Sequence, residues 1–345
     1  MKRLSFLLVA VAMLAFCACD PDDDTVNNNP QQSQSSGGGS GGSGVNSGGG
    51  TTPGGDTPGG GTTDPASSVG GFDANNASNA LFSVASDRKV RFSCGNLQYR
   101  ASTSTWRFAE NQYDVVGSDN SNIAADYDGW IDLFAWGTSG WNSGANAYMP
   151  YSISSDDQDY WVGGAPNNGL FGQYGNADWG VFNAIENGGN RAGLWRVLTR
   201  DEVNYLIFVR SASTVNGVAN ARYVLSQVAG INGLIVFPDI YVHPKDVPAP
   251  IGINSFDVAY SDNVYSLEQW TLMENAGCAF LPSAGYRLGS SVSEVNEYLY
   301  YWTSTPYCDN AAGVLMVSYS GYISLAYLVG RGRGHSVRLV MDVLQ

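Results

Sequence analysis

Histidine, the side chain that most often acts as a general acid or base, is scarce in this chain. The 345 residues include two histidines, His243 and His335. His243 precedes Pro244 in a segment with loop composition, and no Ser/His/Asp or Cys/His arrangement can be specified around either histidine. We therefore expect no catalytic residue, and an enzyme is the least favoured class of function for this sequence.

The patterns that usually hold metals are also weak. Apart from Cys17 and Cys19 near the N-terminus, the cysteines are Cys94, Cys278 and Cys308, and none lies in a CxxC spacing. This argues against a zinc site and against a disulfide framework, although one disulfide among the last three stays open. The acidic run at 156–159 could bind calcium, but a solvated loop is favoured. We expect no metal and no cofactor.

The composition that best suits binding lies at 301–340. Its middle part contains a single carboxylate, Asp309, and is otherwise mainly Gly, Ser, Ala, Tyr and aliphatic residues. Tyr, Ser and Gly are typical of adaptable binding surfaces, because tyrosine provides a large contact area at low entropic cost. Composition alone favours a plainer interpretation, a β-meander that buries Leu315, Val317 and Ile323.

The net charge of the chain argues against one class of binding partner. The formal net charge is −14 and the sequence pI is about 4.4, which argues against nucleic acid because phosphate binding requires clustered Lys and Arg. Arg331, Arg333 and Arg338 form the one local basic cluster. We expect Arg338 to join a buried hydrogen-bond network, since a guanidinium has five donors, and Arg333 to be exposed and able to meet an acidic ligand.

Short strands and two clear helices should position these residues. Alternating apolar residues predict two strands within 81–100 and a hairpin at 96–107, and 233–238 reads as a buried strand. Capping boxes at 199–202 and 266–269 predict two helix starts. The chain lacks βαβ alternation and a Gly-x-Gly-x-x-Gly after a strand, which argues against a nucleotide fold. We expect one α+β domain.

The aromatic segment at 129–137 has two interpretations. Core packing is favoured, because Trp and Phe dominate core energetics, and the alternative is a platform that stacks sugars.

The first part of the chain reads as an export signal and a tether. Residues 1–18 combine a basic start with an apolar run too short to span a bilayer comfortably, and they end before Cys19, which resembles the lipidated cysteine of a bacterial lipobox. Residues 19–79 are mainly Gly, Ser, Thr, Asn, Pro and Asp and cannot form a core, so we expect a flexible tether. The folded domain is then predicted at 80–345.

Several strings resemble a known family when they are taken together. Leu194–Val203 is similar to the Arg-Leu-Pro-Thr-x-x-Glu-Trp element of the formylglycine-generating-enzyme branch of the C-type lectin-like fold, with departures at Val197 and Val203. The strings at 280–287, 301–305 and 334–340 also look like that branch. The ending resembles that of secreted Bacteroidetes paralogues and of variable proteins of diversity-generating retroelements.

The resemblance implies a C-type lectin-like domain with two helices, short antiparallel sheets and paired N- and C-terminal strands. The resemblance does not imply the enzyme activity of that branch, because the cysteine pair of the enzymes is missing. It does not imply calcium-dependent sugar binding either, because the motifs of animal lectins for that binding are absent. In retroelement variable proteins, the segment before the fixed ending is rewritten at template adenines. Together with period-two alternation, this predicts the outward, ligand-binding positions Cys308, Asp309, Asn310, Gly313, Met316, Ser318, Tyr322, Ser324, Ala326, Tyr327, Gly330, Arg333 and His335.

The sequence thus predicts a cell-surface lipoprotein that displays a non-catalytic, ligand-binding C-type lectin-like domain. The acidic residues after Cys19 resemble the export signal of Bacteroidetes surface lipoproteins, so we expect an outer-membrane anchor facing the exterior, with a periplasm-facing lipoprotein as the alternative. The partner would be a protein or a glycan. A structural component or adhesin tip of a surface assembly is the alternative, and polymer formation would distinguish it.

Overall fold

Short antiparallel strands make up most of the regular structure, with few helices, in a computed structural model that describes residues 70–141, 148–255, 257–325 and 327–343. The mixed α+β class is therefore confirmed. Cys19, the predicted signal, most of the predicted tether and Ala326 lie outside the described residues. None of the helices within the described ranges has the length and apolarity needed to cross a bilayer.

Fifteen strands are present in the described part of the chain. They are β1 (Phe82–Ser83), β2 (Lys89–Phe92), β3 (Leu97–Arg100), β4 (Thr105–Phe108), β5 (Tyr223–Val228), β6 (Ile231–Val236), β7 (Val264–Tyr265), β8 (Ala279–Pro282), β9 (Tyr286–Leu288), β10 (Ser291–Ser293), β11 (Leu299–Cys308), β12 (Ala311–Val317), β13 (Ile323–Ser324), β14 (Leu328–Gly330) and β15 (Val340–Asp342).

These strands form five small sheets. Their orders are β1-β2-β15, β3-β4, β7-β5-β6-β8, β9-β10 and β11-β12-β13, with β14 also paired to β12. All pairs are antiparallel except β5 with β7. The pairing of β2 with β15 joins the two ends of the folded part, as the family resemblance implied. The predicted hairpin at 96–107 is also observed, as β3 and β4.

The α-helices among the described residues are α1 (Trp179–Phe182), α2 (Arg200–Asn204), which continues into a π-helix at Tyr205–Val209, and α3 (Leu267–Asn275). Short 3-10 helices lie at Gly117–Ser121, Asp157–Tyr160, Val162–Gly164, Gly172–Ala177 and Tyr260–Asp262. Both predicted capping boxes are confirmed. The Thr199 hydroxyl accepts the Glu202 N–H, and the Glu202 carboxylate accepts the Thr199 N–H. Ser266 and Gln269 do the same at α3. These bonds satisfy backbone donors that a helix start leaves without partners.

The folded part begins before the predicted boundary at Ala80. Residues 70–79, which the sequence analysis assigns to the tether, already pack: Ala77 is fully buried, and the Asp73 carboxylate lies 2.8 Å from the Arg91 guanidinium. Asn and Gly are frequent in this segment, so its composition resembles a linker. Its order comes from contacts with β2 that composition does not reveal.

The aromatic segment at 129–137 packs mainly in the core, as predicted. Ile131, Phe134 and Trp136 are buried, and the Trp136 indole N–H donates to the Thr303 carbonyl at 2.9 Å. Trp302 donates in return to the Phe134 carbonyl at 2.7 Å. This segment is therefore fixed against β11. Trp130 differs, because it is only half-buried.

Arg338 forms the buried network expected from the sequence. Its guanidinium donates to the Asn96 and Gln112 side-chain oxygens. Gln112 also accepts the Phe280 N–H at 2.8 Å and donates to Glu274 at 2.9 Å. Burial lowers the pKa of Arg338, and burial also raises the pKa of Glu274. The Gln112 side chain therefore joins the chain ending to β8 and α3.

The two cysteines with free thiols, Cys94 and Cys278, are both buried. They are therefore not joined to each other by a disulfide. Burial raises the pKa of the Cys94 thiol to about 11, so this thiol stays protonated at neutral pH.

Gln112→Leu should destabilise the fold by about 3–5 kcal/mol, because it leaves the buried Arg338 charge without its main partner. Adding Arg338→Met should recover part of that loss, since the uncompensated charge is then removed. The free energy of unfolding from urea denaturation measures both effects. Gln173→Leu, at an exposed glutamine, is the control and should change stability by less than about 0.5 kcal/mol. A double variant less stable than Gln112→Leu would contradict the network interpretation.

Candidate ligand-binding surface

The sheet that contains β11 and β12 is covered on both faces, and this determines which side chains reach solvent. Tyr301 and Leu315 pack in one apolar core, whereas Trp302, Val314 and Met316 pack in the other. Successive side chains along β12 therefore point into two different cores, instead of alternating between a core and solvent. Strands buried on both faces are apolar without a solvent-facing side.

This two-sided burial corrects part of the predicted binding set. Leu315, Val317 and Ile323 are buried as expected, but several positions expected to face outward are buried as well. Met316 is 4% exposed, Ser318 8% and Ser324 9%. The buried positions from the predicted set are Gly313, Met316, Ser318, Ser324 and His335.

The other predicted positions remain accessible to different degrees. Tyr322 is 58% exposed and lies in the turn between β12 and β13, and Tyr327 is 39% exposed. Asp309 and Asn310 are exposed in the turn between β11 and β12, whereas Cys308, Gly330 and Arg333 are half-buried.

Tyrosines from four segments meet on what we call the tyrosine surface, which consists of Tyr286, Tyr298, Tyr300, Tyr319 and Tyr327. The Tyr298 and Tyr300 rings are parallel, with centroids 5.9 Å apart. Tyr319 lies 5.7 Å from Tyr298, and both Tyr286 and Tyr327 lie about 6 Å from Tyr300. Tyr319 is 65% exposed, whereas Tyr300 is buried. The surface thus has a fixed base and an accessible outer layer.

Sequence reasoning missed four of these five rings. Tyr286 and Tyr298 lie before the stretch at 301–340, and Tyr300 lies directly before it. Tyr319 is inside the stretch but outside the predicted set of binding positions. The high frequency of tyrosine in 286–327 is visible in the sequence. Which of these tyrosine rings meet depends on how β9, β11 and the turn after β12 pack.

Glu294 supports the tyrosine surface from the connection between β10 and β11. Its carboxylate accepts a hydrogen bond from the Tyr300 hydroxyl at 2.9 Å, and burial raises its pKa. Its backbone is in the left-handed region, at φ 60°, which is uncommon for a residue with a side chain. The strained backbone and the bond to Tyr300 fix a carboxylate beside the aromatic rings.

His335 forms the base of the surface and cannot act as a contact residue. It is fully buried, with ring centroids 4.8 Å from Tyr300 and 4.7 Å from Trp302. Neither ring nitrogen has a hydrogen-bond partner among the described residues. Burial, followed by the charges of Arg333 and Arg287, lowers the pKa of His335 well below 6.5. The imidazole therefore packs as a neutral ring.

The predicted basic cluster separates into different roles. Arg331 is buried, lies 4.6 Å from the Trp136 ring and donates to the Ala311, Cys308 and Pro166 carbonyls. Arg333 instead lies 5.2 Å from the Tyr286 ring and remains half-buried. Of the three arginines, Arg333 alone contributes to the tyrosine surface.

The acidic run at 156–159 makes contacts to the protein itself. Asp157 accepts the Gly332 N–H at 2.9 Å, and Asp156 accepts the Gln158 N–H at 3.0 Å. Across the residues that the structure describes, no group of three or more His, Cys, Asp or Glu side chains is arranged to hold a metal ion.

The site therefore offers aromatic faces, one carboxylate and one guanidinium, an arrangement suited to binding. Comparisons of the chain with protein-family models, with curated proteins and with solved structures give no match.

His335→Phe should reduce the loss of stability that acid causes. As the pH falls below 6.5, unfolded His335 gains a proton that the buried ring does not accept, so the wild-type protein loses stability. At pH 5.5 this effect amounts to about 1.4 kcal/mol. Free energies of unfolding at pH 7 and pH 5.5 test it. The control variant His243→Phe retains His335 and should therefore retain the loss of stability that His335 causes in acid. If His243→Phe and His335→Phe reduced that loss equally, the assignment to His335 would be refuted.

Proposed function

We propose that this protein is a surface-anchored lipoprotein that displays a non-catalytic, C-type lectin-like domain, and that the domain binds a protein or glycan ligand through the tyrosine surface. The observation that carries the proposal is the exposure of Tyr319 and Tyr327 above a rigid aromatic base. Aromatic residues that are accessible yet fixed are frequent among the residues that dominate binding energy.

Rigid presentation supports a binding role. Tyr300 is fixed by Glu294 and His335, and Tyr298 stacks on Tyr300, so the base loses little conformational freedom when a ligand arrives. Preorganised contacts improve affinity because less entropy is lost on association. Tyr322 adds a further exposed ring, in the turn between β12 and β13.

Two features support the lectin-like assignment. The last strand, β15, pairs antiparallel with β2, the second strand of the folded part, and both helices that the resemblance implied begin with capping boxes. The element that resembles the formylglycine-generating-enzyme branch also has a structural role. Arg196 contacts the Glu202 carboxylate through two bonds of 2.8 Å and contacts Asp342 as well, which joins α2 to β15.

The anchoring part of the proposal rests on sequence. The basic and apolar start, Cys19 in a lipobox-like context, the acidic residues after it and the long polar segment fit a domain held away from an outer membrane. Nucleic acid is a poor partner for a chain with a net charge of −14.

A binding screen with the full-length mature protein tests the surface. Labelled protein is applied to a glycan array and to a displayed peptide library, and each ligand found is titrated against variants. We expect Tyr319→Ser with Tyr327→Ser to weaken binding at least about tenfold, as the loss of aromatic anchors does.

The matched control is Ile240→Ser with Val242→Ser, which removes two apolar side chains that are 59% and 58% exposed outside the tyrosine surface. The control should bind as the wild type does. If the tyrosine variant keeps full affinity, or if both variants lose it equally, binding does not use the tyrosine surface.

Diversification of the surface is tested by DNA sequence. A nearby near-copy of codons 301–340 that differs at template adenines, beside a reverse-transcriptase gene, would support it. An invariant 3′ end without such a copy across many isolates would leave a lipoprotein of fixed specificity.

A further inference from the structure

Two arginines and a tryptophan meet on the outer face of the β3–β4 hairpin. In the register of this hairpin, Gln98 is opposite Arg107 and Arg100 is opposite Thr105, so Arg100 and Arg107 lie on the same face. The Arg100 Cζ atom lies 4.3 Å from the Trp130 ring centroid, and the Arg107 Cζ atom lies 4.0 Å from it. The two guanidinium carbons are therefore no more than about 8 Å apart.

The positive charges of this pair are weakly compensated. Within the described ranges, Arg100 makes no ion pair, and its buried Nε atom has no hydrogen-bond partner. Arg107 donates to the Gln98 side chain at 2.9 Å and lies 3.5 Å from Glu110, whose side chain is 75% exposed. An exposed ion pair of that length contributes little.

The arrangement contrasts with three other arginines of the chain. Arg91, Arg196 and Arg210 each lie within 3 Å of a carboxylate oxygen. In a chain with a net charge of −14, carboxylates are abundant, yet among the described residues the two guanidiniums on Trp130 have only the 3.5 Å ion pair of Arg107 with the exposed Glu110. Two like charges within about 8 Å of each other repel, and an anion bound by both guanidiniums would offset the repulsion.

We propose that Arg100, Arg107 and Trp130 form a second binding site, one that takes an oxyanion such as a carboxylate or a sulfate group. Guanidinium groups present paired N–H donors that match the oxygens of such groups, and charge-assisted bonds of this kind are stronger than neutral ones. Both guanidinium groups contact the Trp130 ring, so less side-chain freedom is lost on binding. The anion could be free or could be the acidic group of a saccharide.

Calorimetric titration of the full-length mature protein at low ionic strength tests this site with two probes, inorganic sulfate and a sulfated heparin disaccharide. We expect Arg100→Gln with Arg107→Gln to weaken binding of the bound probe at least about tenfold. Arg100→Lys with Arg107→Lys keeps both charges but loses the planar fork and its stacking, so it should also weaken binding severalfold.

The matched control is Arg191→Gln with Lys245→Gln, which removes two charges from exposed positions elsewhere. It should keep the affinity within about twofold. Tight binding of both probes supports a site for the anion itself, and preference for the disaccharide supports a saccharide source. Failure of the wild type to bind either probe would overturn the proposal, and so would equal losses in the control and the glutamine variant. The tyrosine surface is unchanged in all these variants, so the result is independent of the function proposed above.

Discussion

The buried guanidinium of Arg338 is the constraint on which much of this fold depends. A charge in the interior costs several kcal/mol unless hydrogen bonds compensate it, and here the compensation comes from separate parts of the chain. Asn96 precedes β3, and Gln112 lies in the loop after β4. Asn96 also accepts the Tyr301 hydroxyl from β11. The chain ending is thereby held against elements that are more than two hundred residues away in sequence.

This anchoring explains how the candidate surface can be rigid although its elements are short. Strands of two or three residues are not stable by themselves. β11 and β12 are longer, are covered on both faces by apolar cores, and place Tyr300 on a defined side of the sheet. Tyr298 and Tyr327 contact Tyr300, so the exposed rings are built outward from a buried one. Rigidity here comes from packing rather than from long regular structure.

Buried and accessible arginine side chains have different roles in this molecule. Arg287, Arg331 and Arg338 are buried and donate to carbonyl or amide oxygens, and burial lowers the pKa of Arg287 and Arg331 to about 10. Such buried donors satisfy backbone groups where irregular segments meet. Arg100 and Arg107 remain nearer the surface against a half-buried tryptophan, which is why they suit a ligand rather than the fold.

The amino-acid sequence by itself determined the local features: the capping boxes at Thr199 and Ser266, the β3–β4 hairpin, the burial of Leu315, and the structural role of Arg338. These depend on neighbouring residues or on the chemistry of one side chain. Tertiary structure alone decided that Met316 and His335 are buried, because a second core covers the other face of the sheet. It also decided which tyrosines meet and that residues 70–79 pack, since contacts between distant segments are not visible in local patterns.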